Sequence, residues 1–194
     1  VTFSAAYSGD LSRQRETGQR VVDQLEKPPQ LIIDPRFNEV QTDEQIEVMM
    51  PLLKERDARF ADLVATMDTD TKSFQKIIET VFNYWVSSDC DVSGIQSWAD
   101  YSEGVVSAFE GAMASAASGT DTAIFTSGGT IATIVGHVLR LTSDRIYEFY
   151  EPVFNCSITR IIFNSRKSSL STFNDVGHLQ LMSAQLEERL VTYR

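Results

Sequence analysis

A short apolar run, Thr122-Ala123-Ile124-Phe125-Thr126, passes directly into Ser127-Gly128-Gly129-Thr130 and then into an apolar stretch from Ile131 to Leu141. A buried strand feeding a helix through paired glycines is the junction of an α/β sheet, because a strand buried on both faces reads as a continuous hydrophobic run. Free backbone N–H groups and the positive end of the helix make the same turn a cradle for an anion. The glycines let a ligand approach the backbone closely. A plain strand-to-helix turn capped by a hydroxyl is the structural alternative.

The rest of the chain repeats the alternation. Val1 to Tyr7 reads as an apolar strand closed by Ser8-Gly9-Asp10, with Asp10 placed to cap a helix that runs through Leu11, Val21, Val22 and Leu25 to Pro28-Pro29. Leu31-Ile32-Ile33 is a second short strand, ended by Asp34-Pro35. Glu44 to Met67 is expected to be helical with a break or kink at Pro51, and Thr71 to Ser87 continues helically. Trp98, Tyr101, Val105, Phe109, Ala112, Met113 and Ala116 recur at steps of three and four, which predicts a helix over Ser97 to Ala117. Asn155 to Phe163 and Ser168 to Phe173 alternate as two strands that can pair, and His178 to Arg194 closes the chain as a polar segment. The expected fold class is α/β: three layers, a mostly parallel sheet flanked by helices. The 194 residues make one domain (1–194). Within it, residues 40–95 are read as a helical lid or insertion, whose apolar stripe serves core packing or a partner helix.

Composition narrows the partners. Seventeen Lys and Arg against 27 Asp and Glu give a formal charge of −10, a poor field for nucleic acid or an anionic membrane surface. A few arginines in a cleft can still reverse the local potential, so a small phosphorylated ligand remains compatible. No apolar run is long enough to span a membrane. Cys90 and Cys156 lack metal-ligand spacing and suggest a reducing, cytoplasmic compartment, with Cys156 expected to be buried beside its strand. No metal and no organic cofactor is called for, and a homodimer is allowed.

Sheets of this kind bind ligands outside the carboxyl ends of their strands, so the loops after Tyr7 and after Thr126 are the places to seek chemistry. Arg13, one turn into the first helix, offers a planar donor fork for phosphate oxygens; a solvated surface arginine is the alternative. Arg15 faces elsewhere by helical geometry. Glu39, in the loop after the second strand, is a carboxyl group able to protonate a leaving oxygen, or else a surface charge. Ser127, Gly128 and Gly129 supply the cradle. A nucleotide-binding reading lacks GxGxxG and a suitably placed ribose-binding acid.

Together these segments carry a resemblance. Ser8-Gly9-Asp10-Leu11-Ser12-Arg13 with Thr17, Arg36-Phe37-Asn38-Glu39 and Phe125-Thr126-Ser127-Gly128-Gly129 are similar, in that order, to segments of the histidine phosphatase superfamily. They correspond to the second-arginine motif, the proton-donor segment and the second-histidine motif of that phosphoglycerate-mutase-like group. Asn155-Cys156-Ser157-Ile158-Thr159 and Phe173-Asn174-Asp175-Val176-Gly177-His178-Leu179 resemble its closing strands and tail. The resemblance implies a phosphomonoester hydrolase acting through a phosphohistidine on a small phosphorylated substrate. Arg13 and Glu39 would be catalytic, and Arg13, Ser127, Gly128 and Gly129 would bind phosphate.

Two departures bear on activity. The family's opening strand ends in Arg-His-Gly and carries the nucleophile, whereas the only histidines here are His137, in an apolar helix, and His178, in the tail. The chain starts where the family's second strand would start, so a preceding segment is expected to hold that histidine. Ser127 stands where the family has its second histidine. A serine hydroxyl donates a hydrogen bond but brings no positive charge. The loss of one charge-assisted contact would slow the reaction by about 2–4 kcal/mol rather than abolish it. A non-catalytic relative that binds a phosphorylated ligand or a protein is the alternative.

Overall fold

A computed structural model of the chain describes residues 2–67 and 69–193. Two compact units emerge, one comprising Val1–Glu39 and Gly104–Arg194, the other Val40–Glu103.

The first unit is built on a parallel sheet in the order β2-β1-β3, where β1 is Phe3–Ser8, β2 is Leu31–Ile33 and β3 is Asp121–Phe125. Residue Val1 of the expected first strand lies outside the described residues. Ser8 is in register with Ile33 on one side and with Phe125 on the other, so the three strands finish at one edge of the sheet. The loops that follow them are therefore neighbours. Helix α1 (Ser12–Val22) packs against all three strands through Gln14, Gly18 and Val22, spaced one turn apart along a single face. It ends at Val22, short of the expected Leu25. Asp10 does not cap it: the cap position belongs to Leu11, which makes no side-chain bond. The Asp10 carboxylate lies 3.4 Å from Arg15, and its backbone N–H donates to Asn38 Oδ1 at 2.6 Å.

After β3 the chain turns at once into α6 (Gly128–Leu139), three residues earlier than the apolar pattern suggested, because Gly128, Gly129 and Thr130 are already helical. The short α7 (Tyr147–Tyr150) packs on it. Strands β4 (Ile158–Phe163) and β5 (Ser168–Asp175) form an antiparallel pair separate from the parallel sheet. The segment before β4 is a turn, not strand. There Cys156 adopts φ +57° and is exposed, which corrects the expectation of a buried thiol. The tail is likewise not uniformly polar: it holds α8 (Gly177–Leu186), which exposes Leu181, Met182 and Leu186.

Among the described residues β3 pairs only with β1, and β4 only with β5. An apolar cleft with about 130 Å³ of space open to water lies between them. Its walls are Thr122 and Ile124 of β3 with Thr126 just beyond it, and Thr159, Ile161 and Phe163 of β4, together with residues of α6 and of α5 (Trp98–Ser115). Alternate residues of each strand face it, as strand periodicity requires. Arg160 of β4 pairs with Asp121 of β3 at 3.8 Å.

The second unit is helical: α2 (Thr42–Arg56), α3 (Ala58–Thr66), α4 (Thr71–Trp85) and the opening turn of α5. Pro51 lies inside α2 without ending it. The break comes at Asp57, whose extended backbone and side chain, accepting from the Arg59 N–H at 2.8 Å, start α3. Asp70 starts α4 in the same manner, accepting from Lys72 and Ser73. These bonds, with the Ser73 hydroxyl foremost, hold its carboxyl below the ordinary range. Met49, Phe60, Ile77 and Val81 are buried, and Phe82, Trp85, Trp98 and Tyr101 form an aromatic cluster. No helix among the described residues is long and apolar enough to cross a membrane.

Candidate functional site

The shared strand ends bring three loops together, and hydrogen bonds weld them. Gly9 N–H donates to Phe125 O at 3.2 Å, and Asp34 N–H to Ser8 O at 2.8 Å, extending the ladder past the strands. A single carbonyl, Phe37 O, accepts from Thr126 Oγ1 at 2.6 Å and from Gln14 Nε2 at 3.2 Å. Thr130 Oγ1 donates to Asn38 O at 2.7 Å. Phe37 itself is fully buried, so the loop is anchored by its ring on one side and by this carbonyl on the other.

That anchoring sets Glu39 against the glycine turn. The Gly129 N–H donates to Glu39 Oε1 at 2.8 Å, so the carboxylate caps α6 from outside the helix. Ser127, the residue at the cap position, makes no capping bond with its own side chain. Its Oγ instead accepts from Gln14 Nε2 at 2.9 Å. Gly9 leaves room for this arrangement: a Cβ there would overlap Gln14 Oε1 and lie 2.8 Å from Asn38 Oδ1.

Ser127, Gly129 and Glu39 thus occupy one site, with Gly128 buried at the start of the helix. The Gly129 amide, assigned to phosphate on sequence grounds, is engaged by Glu39 in this structure. Arg13 is exposed at the second position of α1, and among the described residues nothing hydrogen-bonds or ion-pairs with its guanidinium. The neighbouring cations differ. Arg15 pairs with Asp10, and Arg36 closes on Asp34 through three nitrogen–oxygen contacts of 2.6–3.2 Å. The Arg36 hydrogen bonds, foremost among the causes, hold the Asp34 carboxyl below its ordinary value of 3.8. Arg13 thus differs from Arg15 and Arg36 in having no acidic partner among the described residues. His137 sits on α6 beside Phe109 and 3.4 Å from Glu110, and His178 is exposed on α8.

The residue that sequence reasoning missed is Gln14. Its signal was present: a polar side chain on the same stripe as Gly18 and Val22, one turn before a glycine.

The fold has solved relatives. A phosphoserine phosphatase variant from Entamoeba histolytica, determined with phosphoserine, superposes with a TM-score of 0.57 at 16% identity, over 91% of this chain and 76% of that one. Mycobacterial hydrolase 1 gives 0.56 at 15% identity, over 89% and 77%. The α-ribazole phosphatase of Shigella flexneri gives 0.54 at 13%, over 90% and 75%. At these identities the likeness is one of fold. No curated protein matches the chain. The profile of the histidine phosphatase superfamily, branch 1, matches residues 1–176, a span that takes in all five strands and every loop of the site. Sheet order, loop convergence and profile agree, and the chain belongs to the histidine phosphatase superfamily.

Proposed function

We propose that this protein hydrolyses small phosphomonoesters through a phosphohistidine. The observation that carries the reading is the convergence at one sheet edge of a glycine-turn helix start and a carboxyl group, tied through Gln14 to the first turn of α1, which bears the exposed Arg13. Arg13 holds the phosphoryl oxygens, and Ser127 with the Gly128 amide completes the oxyanion cradle, the Gly129 amide joining it when Glu39 turns to the leaving oxygen. The nucleophile is a histidine on a segment preceding residue 1. The cleft between β3 and β4 supports this part of the reading, since it has the apolar walls and the two unpaired strand edges that an inserted strand needs. The histidine attacks phosphorus as Glu39 gives its proton to the departing alkoxide. Water then cleaves the phosphohistidine, releasing inorganic phosphate and restoring the imidazole. Residues 40–95 act as the lid that selects the substrate.

A second reading has its own observation. Glu39 sits on the Gly129 amide where a phosphate would sit, and Ser127 replaces a cationic side chain, as suits a relative that binds without turnover. A p-nitrophenyl phosphate assay on the full-length protein separates the two. Turnover that falls roughly a hundredfold or more in Arg13→Ala is the expected result. Phosphate binding without turnover would establish the non-catalytic relative instead.

A further inference from the structure

Gln14 lies inside the protein at 3% exposure, yet one of its polar atoms has no partner: Oε1 is buried and accepts nothing. Leaving a buried acceptor unsatisfied is costly, and its persistence asks for a reason. The other end of the same amide supplies one. Phe37 O is purely an acceptor, so the group facing it must be the NH₂, which fixes the amide's orientation. Its two hydrogens then go to Phe37 O and Ser127 Oγ.

A hydroxyl has one hydrogen. Because Ser127 Oγ already accepts from Gln14, its own O–H is left to donate, and no acceptor for it exists among the described residues. In an ordinary helix cap the serine oxygen would accept from a backbone N–H two or three residues on. Here the amide at that place, Gly129, is held by Glu39, which leaves Ser127 to the glutamine. The serine is thereby turned from a capping acceptor into a directed donor.

We propose that Gln14 is a positioning residue that orients the Ser127 hydroxyl so that its hydrogen points to the bound phosphoryl group. This rests on the reading of the Ser127 turn as a phosphate cradle. The pair Gln14–Ser127 acts as a neutral relay: the amide donates to the hydroxyl, and the hydroxyl donates to a phosphate oxygen. Donor chains of this kind polarise one another, strengthening the final bond.

The test is a double-mutant cycle read by titration of inorganic phosphate onto the full-length protein, with thermal melting followed in parallel. Gln14→Met removes the donor and the orphan acceptor together while keeping the side-chain length. It is expected to weaken phosphate binding about tenfold without lowering the melting temperature. The isosteric Gln14→Glu cannot donate and captures the serine's hydrogen, and it should weaken binding further. In a Ser127→Ala background, Gln14→Met should have no additional effect on phosphate. Equal, additive losses in both backgrounds, or unchanged binding in Gln14→Met, would overturn the role of Gln14 while leaving the cradle intact. A wild-type protein that fails to bind phosphate would overturn the cradle itself.

Discussion

Large apolar side chains meet opposite fates in the two units. In Val40–Glu103, Trp85 is 3% exposed, its ring lies 5.3 Å from Trp98 and 5.5 Å from Tyr101, and its indole N–H donates to Gln96 O at 2.9 Å. Every polar and apolar requirement of that residue is met by the unit's own chain. In the sheet unit, Ile124, Ile161 and Phe163 are only half-buried and line an open cleft. A wall without atoms opposite forgoes dispersion contacts that a closed core collects. The difference lies in what each stretch of chain supplies: residues 40–103 fill their own core, whereas among the described residues β3 and β4 face a gap between them.

The comparison has measurable edges. Trp85→Ala should be the most damaging truncation, destabilising by about 3–5 kcal/mol in chemical denaturation, since it empties a filled core and strands the Gln96 carbonyl. The cleft should respond differently to added bulk. Val81→Phe, at a position 1% exposed, is expected to cost about 1–3 kcal/mol, while Ile161→Phe in a protein of residues 1–194 should be tolerated within about 0.5 kcal/mol. Equal costs at the two sites would erase the distinction between core and cleft. The smallest effect is electrostatic. Asp34, on the loop after β2, has its folded-state value depressed by Arg36, so the pair's contribution is full above 3.8 and lost as pH falls through the lower folded value. Asp34→Asn should therefore lower stability at neutral pH by about 1 kcal/mol or less, because half of the Arg36 side chain is in water. The gap from wild type should close in acid.

Much of the sheet unit was legible because its signals are local. Alternating apolar runs and the Ser127-Gly128-Gly129 turn specify strands and a helix start without help from tertiary context. What failed was equally physical. Pro51 suggested a break, but a helix tolerates proline where packing holds the turn, and the actual boundary came from the Asp57 cap. Asp10 looked like a cap and was diverted to Arg15 and Asn38, partners brought near only by the fold. Cys156 had strand-like neighbours but sits in a left-handed turn. For the site, residue types were readable and their pairings were not. That Glu39 would cap α6, freeing Ser127 for Gln14, depends on the juxtaposition of loops 90 and 113 positions apart in the chain.

The carbonyl of Phe37, with its hydroxyl and amide donors, acts as a mechanical joint. Rotating that one peptide would strip both bonds together, so the strap bearing Glu39 and the bend bearing Ser127 shift in concert or not at all. A tug on either transmits to the other without slack. The distance between the Glu39 carboxylate and the Ser127 turn is thereby set by one peptide.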